Sequence, residues 1–230
     1  MPTFEELELA ACSPNLVSLD DFNPNTDLPY GLEIEHIYSA MNDYVNFISF
    51  INQQLNTKGI ERLESMLMQA NFSSMVGEFM GSTIPKYCKT IIKNKHHNGH
   101  PDLLPAGMYP GDAARHVPEG IEIKGSRRPS GWQGHNAEDV WLMVFVFDSS
   151  TPVDEANQIQ PKPFRFLKVL GARINKEDWN FSGRSETSRR TITASVTRSG
   201  FEKMSNNWIY KAPSSIPQTT ANLLDLIPQE

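Results

Sequence analysis

His100-Pro101-Asp102-Leu103-Leu104-Pro105 is followed, across a connection containing Gly and Pro, by Gly120-Ile121-Glu122-Ile123-Lys124-Gly125-Ser126-Arg127-Arg128. The reading of this stretch decides the fold. Side chains alternate across a strand, so Ile121 and Ile123 share one face while Glu122 and Lys124 share the other. The apolar pair can bury in a core. The charged pair then points into a cleft, into water or at a ligand. Asp102 stands upstream of it. Two carboxylates suit a hard divalent cation, and an ammonium beside them suits a phosphate or an attacking water.

Working outward, Trp141-Leu142-Met143-Val144-Phe145-Val146-Phe147 is an unbroken apolar run that reads as a buried strand over 140–147. Upstream, Ser73 or Ser74 can cap a helix through Met75, Val76, Phe79 and Met80 toward Ile84. Pro85 is expected to kink it or to start a new turn, with Tyr87, Ile91 and Ile92 carrying the period on. A helix, two strand-like segments bearing Pro101-Asp102 and Glu122-Ile123-Lys124, and a buried strand together resemble the PD-(D/E)xK nuclease family, which includes many restriction endonucleases. The resemblance covers about residues 75–148.

That resemblance implies an α/β (α+β) protein with a restriction-endonuclease-like core, in which a central mixed β-sheet is flanked by helices behind an N-terminal helical region. It implies a catalytic set of Asp102, Glu122 and Lys124. Asp102 and Glu122 would bind one or two Mg²⁺ ions (Mn²⁺ able to substitute), and the main-chain carbonyl of Ile123 would supply a further ligand. Lys124 would orient or help deprotonate the attacking water, or stabilise the phosphate. Many members carry an acid on the helix before the first catalytic strand. Glu78 is the only acid between Glu64 and Asp102, so it is the candidate for that ligand, against a plain surface role. The expected products are a 5′-phosphate and a 3′-hydroxyl.

Composition sets the outer bounds. The chain has 230 residues, 39% apolar and 21% charged, which fits one globular domain with a substantial core. Cys12 and Cys88 have no metal or disulfide spacing. No basic leader opens the sequence and no apolar run approaches a membrane span, so a cytoplasmic protein is expected. The net charge of -6 is unevenly spread. Residues 1–57 hold nine acids and no Lys or Arg, whereas residues 162–211 hold 11 basic and four acidic residues. A basic C-terminal third is the footprint of a face for double-stranded DNA, or a solvated basic surface.

The expected layout within 1–230 is an acidic irregular arm or short helix and loop over 1–31, a helical region over 32–95, a catalytic core over 96–175 and a basic part over 176–230. Ile34, Ile37, Met41, Tyr44, Val45, Ile48 and Ile51 mark an amphipathic helix over 32–55, and a second helix is expected over 60–70. The arm is a solvated segment or a mimic of DNA. His96, His97, His100, His116 and His135 cluster, but no cysteine completes a zinc set, so a solvated loop is favoured over a metal site. Residues 126–136 form a loop beside the proposed metal, where Arg127, Arg128, Gln133, His135 and Asn136 are candidates for contact with phosphates or bases. Residues 164–174 and 185–196 read as strands and 176–184 as a turn. Arg189, Arg190 and Arg198 are further candidates for DNA contact. Leu223, Leu224, Leu226 and Ile227 form a docking patch for the domain or a second subunit.

The expected function is therefore a Mg²⁺-dependent DNA endonuclease, most simply a sequence-specific type II restriction enzyme acting as a homodimer. A repair, recombination or mobile-element nuclease of the same fold is one alternative, and a non-catalytic DNA-binding or interaction protein is another. No phosphate-cradling Gly-rich loop is present, so no nucleotide cofactor is indicated. No Gly-x-Ser-x-Gly is present, so acyl transfer has no support.

Overall fold

The apolar run at the centre of the sequence becomes the central strand of the fold. In the computed structural model, which describes residues 2–134, 136–157, 159–181 and 194–213, the elements run in the order α1 (Phe4–Ala11), α2 (Ile34–Asn56), α3 (Leu63–Met66), α4 (Gln69–Tyr87), β1 (Ile91–Lys93), β2 (Leu103–Pro105), β3 (Ile121–Ser126), β4 (Gln133–Gly134), β5 (Val140–Asp148), α5 (Pro152–Ala156), β6 (Arg165–Ile174), β7 (Trp179–Phe181), β8 (Ala194–Val196), α6 (Arg198–Asn206) and β9 (Trp208–Lys211). The expectations placed on His135, Arg189, Arg190, the first part of the 185–196 strand and the Leu223–Ile227 patch lie outside the described residues.

Six strands form one mixed sheet in the order β1-β2-β3-β5-β6-β9. The β3–β5 pair is parallel, and the other pairs are antiparallel. β5 is apolar on both faces because both faces are covered. Trp141, Met143, Phe145 and Phe147 pack with Tyr44, Phe72, Val76 and Met80 of α2 and α4. Val140, Leu142, Val144 and Val146 pack with Trp132, Trp179, Ala194 and Met204, under the small sheet β4-β8-β7 and α6. No helix among the described residues is long and apolar enough to cross a membrane.

Helix α4 lies directly against β3 at glycine contacts. A Cβ on Gly125 would lie 2.9 Å from Val76 Cβ and closer still to the Ser73 carbonyl. Gly125→Ala is therefore expected to push α4 off the strand and to cost about 1–3 kcal/mol of stability in urea denaturation. Gly81→Ala on the same helix meets nothing within 4 Å, and it is expected to be neutral or to stabilise by up to about 1 kcal/mol.

Several local expectations change in three dimensions. The helix expected over 60–70 is the short α3 followed by a break, because Leu67 and Met68 are extended, with ψ of 141° and 138°. α4 starts at Gln69, so Ser73 and Ser74 lie inside it and do not cap it. Ile91 and Ile92 do not continue the helix. They form β1, antiparallel to Leu104 and Pro105, where β-branched residues fit a paired edge. The turn expected over 176–184 contains β7, paired with β8. A further helix, α6, was not visible in the sequence: it buries little beyond Gly200 and Met204, and Thr197 caps it by accepting the Gly200 N–H at 3.3 Å. The acidic arm holds α1, with a Thr3–Glu6 capping box, and then runs along β9, where the Asn23 N–H donates to the Ile209 carbonyl at 2.9 Å.

Candidate active site

The site begins where two strands part. β2 pairs with β3 only through Leu103 and Ile121, so β3 has no neighbouring strand on that edge from Glu122 onward. The Asp102 side chain takes the vacated place: its Oδ2 accepts the Ile123 N–H at 2.8 Å. The N–H and C=O of one strand residue point to the same edge, so the Ile123 carbonyl opens toward Asp102 as well. Ile121 and Ile123 are buried against α4, and alternation turns Glu122 and Lys124 to the other face. Lys124 Nζ donates to Glu122 Oε1 at 3.0 Å. Asp102, Glu122, Ile123 and Lys124 line a cleft of about 350 Å³, closed on its far side by Ser73, Gly77 and Glu78 of α4.

The charges in this cleft are strongly coupled. Burial, followed by the nearby Glu122 charge, pushes the Asp102 carboxyl up to about 7. Burial would raise Glu122 too, but His100 and the Lys124 ammonium outweigh it and hold Glu122 down at about 2. His100 Nδ1 lies 3.1 Å from Glu122 Oε2, and its Nε2 lies 2.7 Å from Glu138 Oε2. That second contact is an ion pair and not an aligned hydrogen bond, because Nε2 has no hydrogen-bond partner of good geometry. Burial disfavours a charged imidazole, but Glu122, Glu138 and Asp102 outweigh it and raise the His100 pKa. The His116 ring stacks on His100 at 5.3 Å.

The sign of the resulting pH dependence follows from linkage. A carboxyl raised above its unfolded value near 4 favours folding most at low pH, and that contribution is lost as pH rises toward about 7. Asp102→Asn keeps an acceptor for the Ile123 N–H and removes the buried charge. It is expected to raise the thermal midpoint, by more at pH 8 than at pH 5, as followed by calorimetry at both values.

The other predicted residues fall in varied places. Glu78 lines the cleft with Asp102 and Glu122, but its carboxylate is exposed and paired with Lys93 at 3.0 Å. Gln133 also lines the cleft. Arg128 is exposed, and its carbonyl accepts the Trp132 indole N–H at 2.9 Å. Asn136 donates to Glu138 Oε1 at 3.2 Å. Arg198 is exposed on α6, paired with Glu202 at 2.9 Å. Arg127 differs from its expected role at DNA. Its guanidinium turns inward, donates to the Ser149 carbonyl at 2.8 Å, to Ser149 Oγ at 2.7 Å and to the Ser150 carbonyl at 3.0 Å, and lies over the Phe72 and Phe147 rings. A residue held this way joins the core to the loop after β5 and has little left to offer a phosphate.

Sequence reasoning missed His100 as a partner of Glu122, Glu138 as a partner of His100, and Lys93 as the partner of Glu78. His100 belongs to the histidine cluster expected to be a solvated loop, but its side chain is only 20% exposed because it lies between two carboxylates; Glu138 carried no signal. Among the described residues, no three His, Cys, Asp or Glu side chains converge as an all-protein metal shell. The donors present are two carboxylates and one carbonyl, all oxygen. That set fits a cation that keeps most of its waters and binds through one or two carboxylates plus a substrate phosphate, as Mg²⁺ does. Compared with protein-family models, with curated proteins and with solved structures, the chain matches none.

Proposed function

We propose that this chain is a Mg²⁺-dependent endonuclease that hydrolyses phosphodiester bonds in double-stranded DNA, most simply a sequence-specific type II restriction enzyme of the PD-(D/E)xK kind, working as a cytoplasmic homodimer. The observation that carries this reading is the Asp102–Ile123 hydrogen bond. It brings a second carboxylate to the edge of the strand that bears Glu122 and Lys124, inside a cleft with room for a phosphate. The antiparallel β1-β2-β3 ladder, the parallel β3–β5 pair and α4 packed behind β3 support a restriction-endonuclease-like core.

In this reading Asp102, Glu122 and the Ile123 carbonyl hold the metal, and Mn²⁺ can replace Mg²⁺. The bound ion would supply Lewis-acid chemistry: an acidified water and neutralisation of charge on the phosphate. Lys124 Nζ would lie beside the attacking water and phosphate, orienting or helping to deprotonate that water or stabilising the phosphate. Asp102 holds its carboxylate fixed through the Ile123 N–H. The raised Asp102 pKa supports a cation role, because a buried carboxylate crowded by another is relieved by a positive ion. Gln133 at the cleft wall, Arg128, Asn136 and Arg198 are exposed groups offered to DNA, and His135, Arg189 and Arg190, outside the described residues, are candidates by sequence alone.

One observation favours a second reading, a DNA-binding protein without catalysis. Both Glu122 oxygens already face cationic partners, Lys124 and His100.

Cleavage of a long mixed-sequence duplex with Mg²⁺ or EDTA, by the wild type and by Asp102→Ala, separates these. Discrete bands that need Mg²⁺ and vanish in the variant support the restriction reading. A smear with the same dependence moves it to a repair, recombination or mobile-element nuclease. No cutting by folded wild type, on DNA long enough to contain most short sites, overturns the nuclease reading and leaves the binding protein.

A further inference from the structure

Glu122 does not stand alone behind the cleft. The His100 ring lies between two carboxylates from different parts of the chain, with Nδ1 3.1 Å from Glu122 Oε2 and Nε2 2.7 Å from Glu138 Oε2. All three side chains are largely buried, at 20% exposure for His100, 16% for Glu122 and 15% for Glu138. The far carboxylate is itself held. Glu138 Oε1 accepts from Asn136 Nδ2, and the Glu138 carbonyl accepts the Trp179 indole N–H at 2.8 Å. The His116 ring stacks on the outer side of His100. A row of carboxylate, imidazole and carboxylate, with His116 stacked on the imidazole, restricts the rotation of the inner carboxylate.

We infer that His100, backed by Glu138, is a positioning residue that orients Glu122 for a divalent cation, an inference that rests on the metal-binding role proposed above. A carboxylate offers about four acceptor positions. Lys124 and His100 face one oxygen each, so a position on each oxygen is left for the cleft. Without the imidazole, the Glu122 carboxylate is free to turn toward Lys124 alone, and fewer of its orientations suit a cation. Partners behind a metal ligand typically contribute 10–100-fold in metal affinity or activity. Glu138 acts one step further out and is expected to contribute less.

The test is direct binding of Mn²⁺, followed by loss of the free-ion spin-resonance signal, in the intact protein without DNA. His100→Ala is expected to raise the half-saturating Mn²⁺ concentration about tenfold or more. His100→Asn, whose amide nitrogen falls near the imidazole Nδ1, is expected to recover most of that loss. His100→Gln, whose amide reaches toward the Nε2 position, is not. Glu138→Gln is expected to weaken binding, and to add little further in the His100→Ala background, as two members of one chain should. Circular dichroism checks that each variant is folded, and Asp102→Asn serves as the variant that loses the site.

Unchanged half-saturation in His100→Ala overturns the inference, as does a loss of the same size in His100→Asn. If wild type binds Mn²⁺ with this pattern yet cuts no DNA, the positioning role stands and the nuclease reading falls. If wild type binds no Mn²⁺ at all, the positioning inference falls, and the cleavage experiment alone decides the nuclease reading.

Discussion

Lys124→Ala is expected to slow Mg²⁺-dependent DNA cleavage by about 10²–10⁴-fold, the usual contribution of a positioned proton-transfer or charge-stabilising group. Lys124 Nζ is only partly exposed and sits 3.0 Å from Glu122 Oε1, at the mouth of the cleft that holds Asp102. Alanine removes the positive charge nearest the proposed phosphate and leaves Glu122 with His100 as its one cationic partner. The step affected is chemistry, so single-turnover rates at saturating Mg²⁺ and DNA should carry the loss, while DNA binding in Ca²⁺ changes little. Arginine is not expected to rescue the rate. Its planar, forked guanidinium cannot take the place of a compact ammonium on a short reach. A Lys124→Ala rate within a few-fold of wild type would reduce this residue to a structural partner of Glu122.

Arg62→Ala is expected to give the largest loss of stability, about 3–5 kcal/mol, which lowers the melting midpoint by roughly 6–20 °C in a chain of this size. Arg62 is 2% exposed and Glu64 is 0% exposed. The guanidinium donates to Glu8 Oε2 at 2.7 Å, Glu64 Oε1 at 2.8 Å, the Lys162 carbonyl at 2.9 Å and Ser150 Oγ at 2.9 Å. It thereby ties α1, α3 and the connection between β5 and β6 into one unit. Removing it strands the Glu64 charge in the interior with only the Asn52 amide as a donor, at 2.8 Å. The double change Arg62→Met with Glu64→Met should recover much of the loss, because the cost comes from an uncompensated buried charge. Urea denaturation of the single and double variants measures this. Equal losses in both would place the stabilisation in packing.

The two predictions differ in how far the sequence foretells them. The facing of Glu122 and Lys124 follows from strand alternation around Ile121 and Ile123, and those two isoleucines are indeed in the core. The run 140–147 is a strand whose two faces feed two cores. The helix expected over 32–55 is α2, Ile34–Asn56. By contrast, the sequence carries no signal that Arg62 and Glu64 are buried as a pair. Nothing within a few residues of them says that Ser150, Lys162 and Glu8 will close over the pair. Arg127 has the same history in reverse: it stands in a polar loop beside the motif, yet Phe72 and Phe147 draw its guanidinium inward.

What the sequence determined by itself is whatever depends on period and local chemistry. That includes which residues share a strand face and where the long apolar strand lies. What only the tertiary structure decided depends on which distant segments meet. β2 parts from β3 after a single pair, so Asp102 reaches the Ile123 N–H. Ile91 and Ile92 become a strand because Leu104 and Pro105 come to pair with them. His100 stands between Glu122 and Glu138 because the connections leading into β2 and β5 converge on the start of β3 there. The physical reason is range. Alternation and helical period are set by bonds between neighbours and can be read along the chain. Pairing across a sheet and the closing of charges in a cleft are set by the packing of the whole core, which no short window contains.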